Sequence, residues 1–311
     1  MKIVVTGGAG FIGANLCRGL VQQDFADSVV ALDDLSTGSA ENLADAPAVQ
    51  LIEGSILNDQ DLDEAIAGAH AIVHLAARPS VPRSLADPMA THHVNATGTM
   101  MMLEAARRHG VDQVVVASSS SVYGANPTLP KQESMATRPV SPYAASKLAT
   151  EAYALSYAHS FGLPVLAFRF FNVFGPLQPA SHAYAAVVPA FVSAALAGRP
   201  LTVHGEGTQT RDFTYVGTVV SVLTDAVRRQ VVDPEPVNLA YGSQVSLLEV
   251  ITLLEEITGR QLQRDHVASR LGDVPHSQAD QERVRLLFPA VEPTPLADGL
   301  RATVAWFGET S

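Results

Sequence analysis

The chain has 311 residues, 47% of them hydrophobic and 16% charged, so it can bury a sizeable core and lies near the length at which one core divides into two. Its formal net charge of −11, with no cluster of Lys or Arg, argues against a nucleic-acid surface or an anionic membrane as partner. Cys17 is the only cysteine, which excludes an intrachain disulfide, and no apolar run suits a signal peptide or spanning helix; the expectation is an acidic cytoplasmic protein.

Ile3, Val4 and Val5 form a short β-branched run that fits a buried parallel strand, and the run breaks into Gly7, Gly8, Gly10 and Gly13. Glycines at such a turn let the backbone approach a pyrophosphate, whose charge then sits at the N-terminus of the helix that begins near Phe11 with Ile12 and runs to about Gln23. A second strand, residues 29–32, ends in Asp33, twenty residues beyond Gly13, where an acid can bind the adenosine ribose hydroxyls. That spacing predicts a dinucleotide site. A carboxylate there repels a 2′-phosphate and so favours NAD over NADP.

Residues 35–47 are polar and suit a loop with a short helix. Strands are expected at 49–52, 71–75, 114–117 and 165–168, and helices at 59–67, 91–109 and 143–161. This alternation is the signature of an α/β fold with a doubly wound, Rossmann-like parallel sheet, whose ligands bind at the carboxyl ends of the strands. Small residues at Ala76 and Ala77, after Leu75, let the backbone lie close to a flat ligand. Beyond Phe174 the alternation stops. The expected organisation is a dinucleotide-binding domain over 1–174, rejoined by a segment near 210–245, and a smaller C-terminal substrate lobe over 175–311. Within that lobe helices are expected near 189–197, 216–229 and 247–258, and strands at 201–204 and 237–240, the last returning to the large sheet.

At the end of the fifth strand stand Ser118, Ser119, Ser120 and Ser121, and further on Tyr143 and Lys147 lie four apart on one helix face. A phenol is a poor base at neutral pH, but an ammonium and a nicotinamide cation nearby would lower its pKa. Such a tyrosine could shuttle a proton to and from a sugar hydroxyl while hydride moves to the nicotinamide. Lysine is scarce, with only Lys2, Lys131 and Lys147. His92 and His93 are adjacent on a helix and point in different directions, so they read as structural and no metal is expected.

Taken together, TGGAGFIG, Leu32-Asp33-Asp34-Leu35, His74-Leu75-Ala76-Ala77, Asn95, SSSSVYG, YAASK, RFFNVFGP, RDFTYV and Gly272-Asp273-Val274 resemble the extended short-chain dehydrogenase/reductase family. Within it they are similar to nucleotide-sugar epimerases of the UDP-galactose 4-epimerase type. The resemblance spans essentially the whole chain. It implies that Ser119 orients the sugar 4-hydroxyl, that Tyr143 is the acid/base, and that Lys147 holds the nicotinamide ribose while Asn95 shapes the cofactor site. It further implies Asn172, Arg211 and Arg270 at a UDP diphosphate and Asp273 at the uridine ribose. Ser277 would line the sugar pocket, and the protein would form a homodimer through helices 91–109 and 143–161. Where relatives carry an adenine-binding aspartate, this chain reads Gly54-Ser55-Ile56, leaving a shorter hydroxyl to serve. His204 falls where relatives place an aromatic near uracil.

Similar 4,6-dehydratases carry Thr-Asp-Glu where this chain has Ser119, Ser120 and Ser121, and decarboxylases carry a glutamate at the position of Ser121. Without those acids the 4-keto intermediate can only turn over and take hydride back on its other face. The reading is therefore an NAD-dependent UDP-hexose 4-epimerase. UDP-glucose and UDP-N-acetylglucosamine rank above UDP-glucuronate, because glucuronate epimerases carry an arginine where the register gives Pro179. Two competing readings are a nucleotide-sugar dehydratase and a non-catalytic regulator that binds NAD.

Overall fold

A computed structural model describes residues 1–180, 186–268 and 275–310. The first part of the chain alternates as expected: β1 (Lys2–Thr6), α1 (Phe11–Leu20), β2 (Ser28–Asp33), β3 (Val49–Glu53), α2 (Asp59–Ile66), β4 (Ala71–His74), α3 (Val81–Ala86), α4 (Pro88–His92), α5 (Gly98–Arg108), β5 (Gln113–Ser119), α6 (Pro142–Phe161) and β6 (Val165–Phe170). The remainder comprises β7 (Val173–Phe174), α7 (Val187–Leu196), β8 (Leu201–His204), β9 (Thr210–Arg211), β10 (Thr214–Tyr215), α8 (Val216–Arg228), β11 (Val237–Leu239), β12 (Val245–Ser246), α9 (Leu247–Thr258), β13 (Arg264–Val267), α10 (Glu282–Leu287) and α11 (Leu296–Thr310).

Seven strands form one parallel sheet in the order β11-β6-β5-β4-β1-β2-β3. Because side chains alternate across a strand, β1 sends Ile3 and Val5 to one face and Val4 to the other. The first face is packed by residues of α1 and α8, such as Leu16, Leu20, Val219 and Leu223. The second is packed by α2, α5 and α6 through Leu62, Ile66, Met102, Leu103 and Ala154. A third core, with Phe174, Phe191, Val203, Ile251 and Phe307, lies in the smaller lobe.

The chain passes between these cores repeatedly. After β6 it enters the lobe, returns as α8 against α1 and as β11 against β6, leaves again through α9, and comes back at α10 beside β11. The sheet therefore recruits Val216–Arg228, Val237–Leu239 and Glu282–Leu287.

Local differences from the sequence reading have physical causes. β5 and β6 run two residues further, because Ser118 pairs with Arg169 and Ser119 with Phe170. The single helix expected over 91–109 is broken: α4 passes into a π-helical turn, His93–Thr97, before α5. There the Asn95 carbonyl accepts the hydroxyls of Thr99 at 2.6 Å and Thr150 at 2.8 Å. π-turns of this kind concentrate at functional sites.

Candidate active site

The carboxyl ends of β1, β2, β4, β5 and β6 open into one cleft of about 1330 Å³. That exceeds the roughly 300–1,000 Å³ of a pocket for one small ligand and leaves room for two. At its floor Gly7 has φ 70°, and a Cβ there would stand 2.7 Å from the Ala76 nitrogen. At Gly13 a Cβ would run into the Gly7 carbonyl oxygen. Only glycine closes this turn, and it presses the β1 loop against Ala76. Gly10, Phe11, Ile12, Leu75 and Ala77 line the same part of the cleft.

Asp33 ends β2 on the cleft wall, where its Oδ2 accepts the Ala9 N–H and its Oδ1 the Leu35 N–H, both at 2.9 Å. Burial pushes its carboxyl above the ordinary range, against the pull of these backbone bonds. The glycine cradle, the helix start and this carboxylate together fit NAD. When bound, that group supplies a hydride acceptor and donor at its nicotinamide ring.

Ser55 takes no part in the wall, although its neighbours Gly54 and Ile56 do. Its N–H donates to Asp61 Oδ2 at 2.7 Å and its Oγ accepts the Leu57 N–H at 3.2 Å, closing a local turn. Asn95 is buried behind the wall. Its Oδ1 accepts the Arg78 N–H at 2.7 Å, while its Nδ2 donates to the Arg78 carbonyl at 3.3 Å and to Ser146 Oγ at 2.9 Å.

Helix α6 begins with Ser141 as N-cap, whose Oγ accepts the Ala144 N–H at 3.1 Å, and with Pro142 in the first turn, where its missing N–H costs nothing. This start projects Tyr143 and Lys147 toward the end of β5. Tyr143 and Ser119 both line the cleft, and the Ser119 hydroxyl acts on the Tyr143 phenol. Ser121 donates to Ser119 Oγ from both its N–H, at 3.2 Å, and its hydroxyl, at 2.9 Å. Ser119, Ser120, Ser121, Tyr143 and Lys147 all line the cleft. Lys147, 5% exposed, donates from Nζ to the Ala117 carbonyl at 2.8 Å, and burial pushes it down to about 8. The expectation from sequence is that Lys147 lowers the Tyr143 pKa. In this geometry burial pushes the phenol upward, and the Ser119 hydroxyl opposes the rise.

Across the cleft stand Asn172, Arg211 and Ser277. Arg211 donates to the Thr210 and Pro275 carbonyls at 2.8 and 3.3 Å, and Ser277 N–H donates to the Thr210 carbonyl at 3.1 Å. Asp212, not singled out from sequence, braces this side: its carboxylate accepts the N–H groups of Gly242, Ser243 and Ala279. Its carbonyl accepts Asn172 Nδ2 at 3.1 Å. His204 is not on the wall, and its ring Nδ1 lies 3.1 Å from the Ala268 carbonyl. Arg270 and Asp273 lie outside the described residues. Sequence reasoning also misses Arg78, Lys131 and Gln178, which line the cleft.

Comparison with known proteins adds to this geometry. A UDP-glucose 4-epimerase of Mycolicibacterium smegmatis is 38% identical over 317 aligned residues, covering 100% of both chains. A UDP-N-acetylglucosamine 4-epimerase from Methanobrevibacter ruminantium, solved with UDP-N-acetylmuramic acid, is 33% identical with a TM-score of 0.93, over 100% of this chain and 99% of that one. A UDP-glucuronic acid 4-epimerase from Bacillus cereus, solved with UDP-glucuronic acid and NAD, is 31% identical with a TM-score of 0.92 over 100% of both. The glycine turn, Asp33 and the Ser119–Tyr143–Lys147 group all fall within residues 3–240, which match the NAD dependent epimerase/dehydratase family, and the chain belongs to that family.

Proposed function

We propose that this protein is an NAD-dependent UDP-hexose 4-epimerase, with UDP-glucose or UDP-N-acetylglucosamine as the sugar nucleotide that enters the cleft. The observation that carries the reading is the Ser119–Tyr143–Lys147 group facing the dinucleotide cradle across one cleft, with serines instead of acids at positions 120 and 121. Tyr143 takes the proton of the sugar 4-hydroxyl and later returns one, and Ser119 holds that hydroxyl in line. Lys147 stays fixed by Ala117 beside them. Asn172 and Arg211 hold the diphosphate from the opposite wall, with Arg270 and Asp273 assigned to the nucleotide by resemblance alone.

Elimination or decarboxylation would need a carboxyl group beside the sugar. The carboxylate nearest in sequence on α6, Glu151, is turned to Arg169 in a buried ion pair at 2.7 Å and accepts the Ser118 hydroxyl, also at 2.7 Å. It is not on the cleft wall. A purely cofactor-sensing regulator would have no use for Ser119, Tyr143 and Lys147 gathered on one wall.

Among the described residues no helix is long and apolar enough to cross a membrane, and we infer a cytoplasmic protein. We also infer a homodimer, supported by Met100 on α5 and Tyr153 on α6, which expose apolar side chains on neighbouring helices.

The test is turnover of UDP-glucose, UDP-N-acetylglucosamine and UDP-glucuronate by wild type and by Ser277→Tyr. Ser277 is small and partly exposed on the wall, so a tyrosine there overfills the sugar end at a cost of about 1–3 kcal/mol. Turnover of the N-acetylhexosamine should fall roughly ten- to two-hundredfold, with UDP-glucose spared. Equal effects on both sugars would remove Ser277 from the pocket. A wild-type preference for UDP-glucuronate would reverse the substrate ranking, and no turnover of any UDP-sugar would overturn the epimerase reading.

A further inference from the structure

Arg78 has no role in the scheme above, yet it stands on the cleft wall two residues beyond Ala76, the residue pressed against the Gly7 turn. Its backbone is clamped from both sides by Asn95, which accepts its N–H and donates to its carbonyl. Ser80, two residues further, has φ 98°, a conformation that favours glycine, so the wall is strained where it turns into α3. The point from which the Arg78 side chain leaves the backbone is thus tightly set.

The guanidinium itself is poorly partnered. Its Nε is buried without an acceptor, and its contact with Asp87 is 3.7 Å long, beyond hydrogen-bond distance, with half of the Asp87 side chain exposed. Exposed ion pairs of that length contribute little. Arginine presents a planar fork of donors suited to phosphate oxygens, and in a chain of net charge −11 a fixed cation beside a phosphate turn is selective for anions.

We propose that Arg78 is an anion-binding residue of the cleft that grips a phosphate group of a bound nucleotide. Two ligands carry that chemistry, the pyrophosphate of NAD and the diphosphate of the sugar nucleotide, and the proximity of Ala76 to the Gly7 turn favours the first. The inference rests on the reading of the cleft as a dinucleotide and UDP-sugar site.

The test uses the purified full chain and two binding measurements besides activity: NAD released per chain on denaturation, and UDP affinity by calorimetry. Arg78→Met should lose NAD content or weaken UDP binding by about tenfold or more, as expected for a charge-assisted contact. Loss confined to NAD assigns Arg78 to the cofactor, and loss confined to UDP assigns it to the substrate. Unchanged values for both overturn the proposal. Asp87→Asn keeps a side chain able to cap α4 while removing the charge facing Arg78, and it should leave both measurements unchanged. If Asp87→Asn matched the losses of Arg78→Met, the arginine would be a structural brace and the proposal would fail. Wild-type protein without NAD would instead refute the underlying site, a distinct result.

Discussion

Tyr143 is pushed in two directions. Burial favours its neutral phenol, and the Ser119 hydroxyl works the other way and favours the phenolate. On the proposed mechanism, removing the phenol oxygen leaves the ring in place but deprives the sugar 4-hydroxyl of its acceptor. Tyr143→Phe should therefore lower kcat by about 10² to 10⁴ while NAD content stays at the wild-type level. A variant retaining more than about a tenth of wild-type turnover would show that another group takes the proton. Ser119, Tyr143, Lys147 and Asp33 are legible in the sequence, because each lies in a short local pattern whose backbone geometry sets the side-chain direction. Ser55 and His204 are not. Whether their polar atoms face the cleft depends on the Leu57 N–H and the Ala268 carbonyl, partners that no spacing rule identifies. Arg78 escapes a reading of the sequence because its signal is an orphaned nitrogen, which exists only in three dimensions.

β1, β4, α5 and the π-turn are laced together through His74. Thr99 gives its hydroxyl proton to the Asn95 carbonyl at 2.6 Å, so it can only accept from His74 Nε2, 3.0 Å away. Nδ1 must then accept, and Thr6 donates to it at 2.7 Å. The ring is held in one neutral tautomer, with no room for a second proton. Burial, helped by the charge of Lys147, pushes His74 down to about 3 from an ordinary 6.5. Between those values the unfolded chain binds a proton that the fold refuses, so stability falls as pH drops from 6.5 toward 3. His74→Gln should be less stable at pH 7 and show a shallower loss between about pH 6.5 and 4 in urea unfolding. A slope equal to the wild type's would assign the acid sensitivity to other groups. The seven-stranded sheet is readable from apolar runs such as Val4–Val5 and Val29–Leu32, while the π-turn is not. The π-turn coincides with the Asn95 carbonyl accepting the Thr99 and Thr150 hydroxyls, the second of them from a distant helix, and no local spacing announces that contact. The short α3, with Pro82 in its first turn, offers too few residues for a period to register.

Cutting the chain at Phe174 would separate the lobes in sequence but not in space. It removes β11 from β6, together with the α8 residues Val219, Val222 and Leu223 that cover Ile3 and Val5 on the sheet face. Residues 1–174 expressed alone should therefore aggregate, as followed by light scattering, and a soluble monomer that retains NAD would contradict this. The same pairing has a consequence in time. On the ribosome β6 is complete once Phe170 has emerged, yet the strand that covers it starts at Val237. At roughly 5–20 residues per second the nascent sheet spends several seconds with a bare row of peptide groups at one side. During that interval most of the smaller lobe's segments are being synthesised, and neighbouring nascent chains can compete with β11 for the open edge.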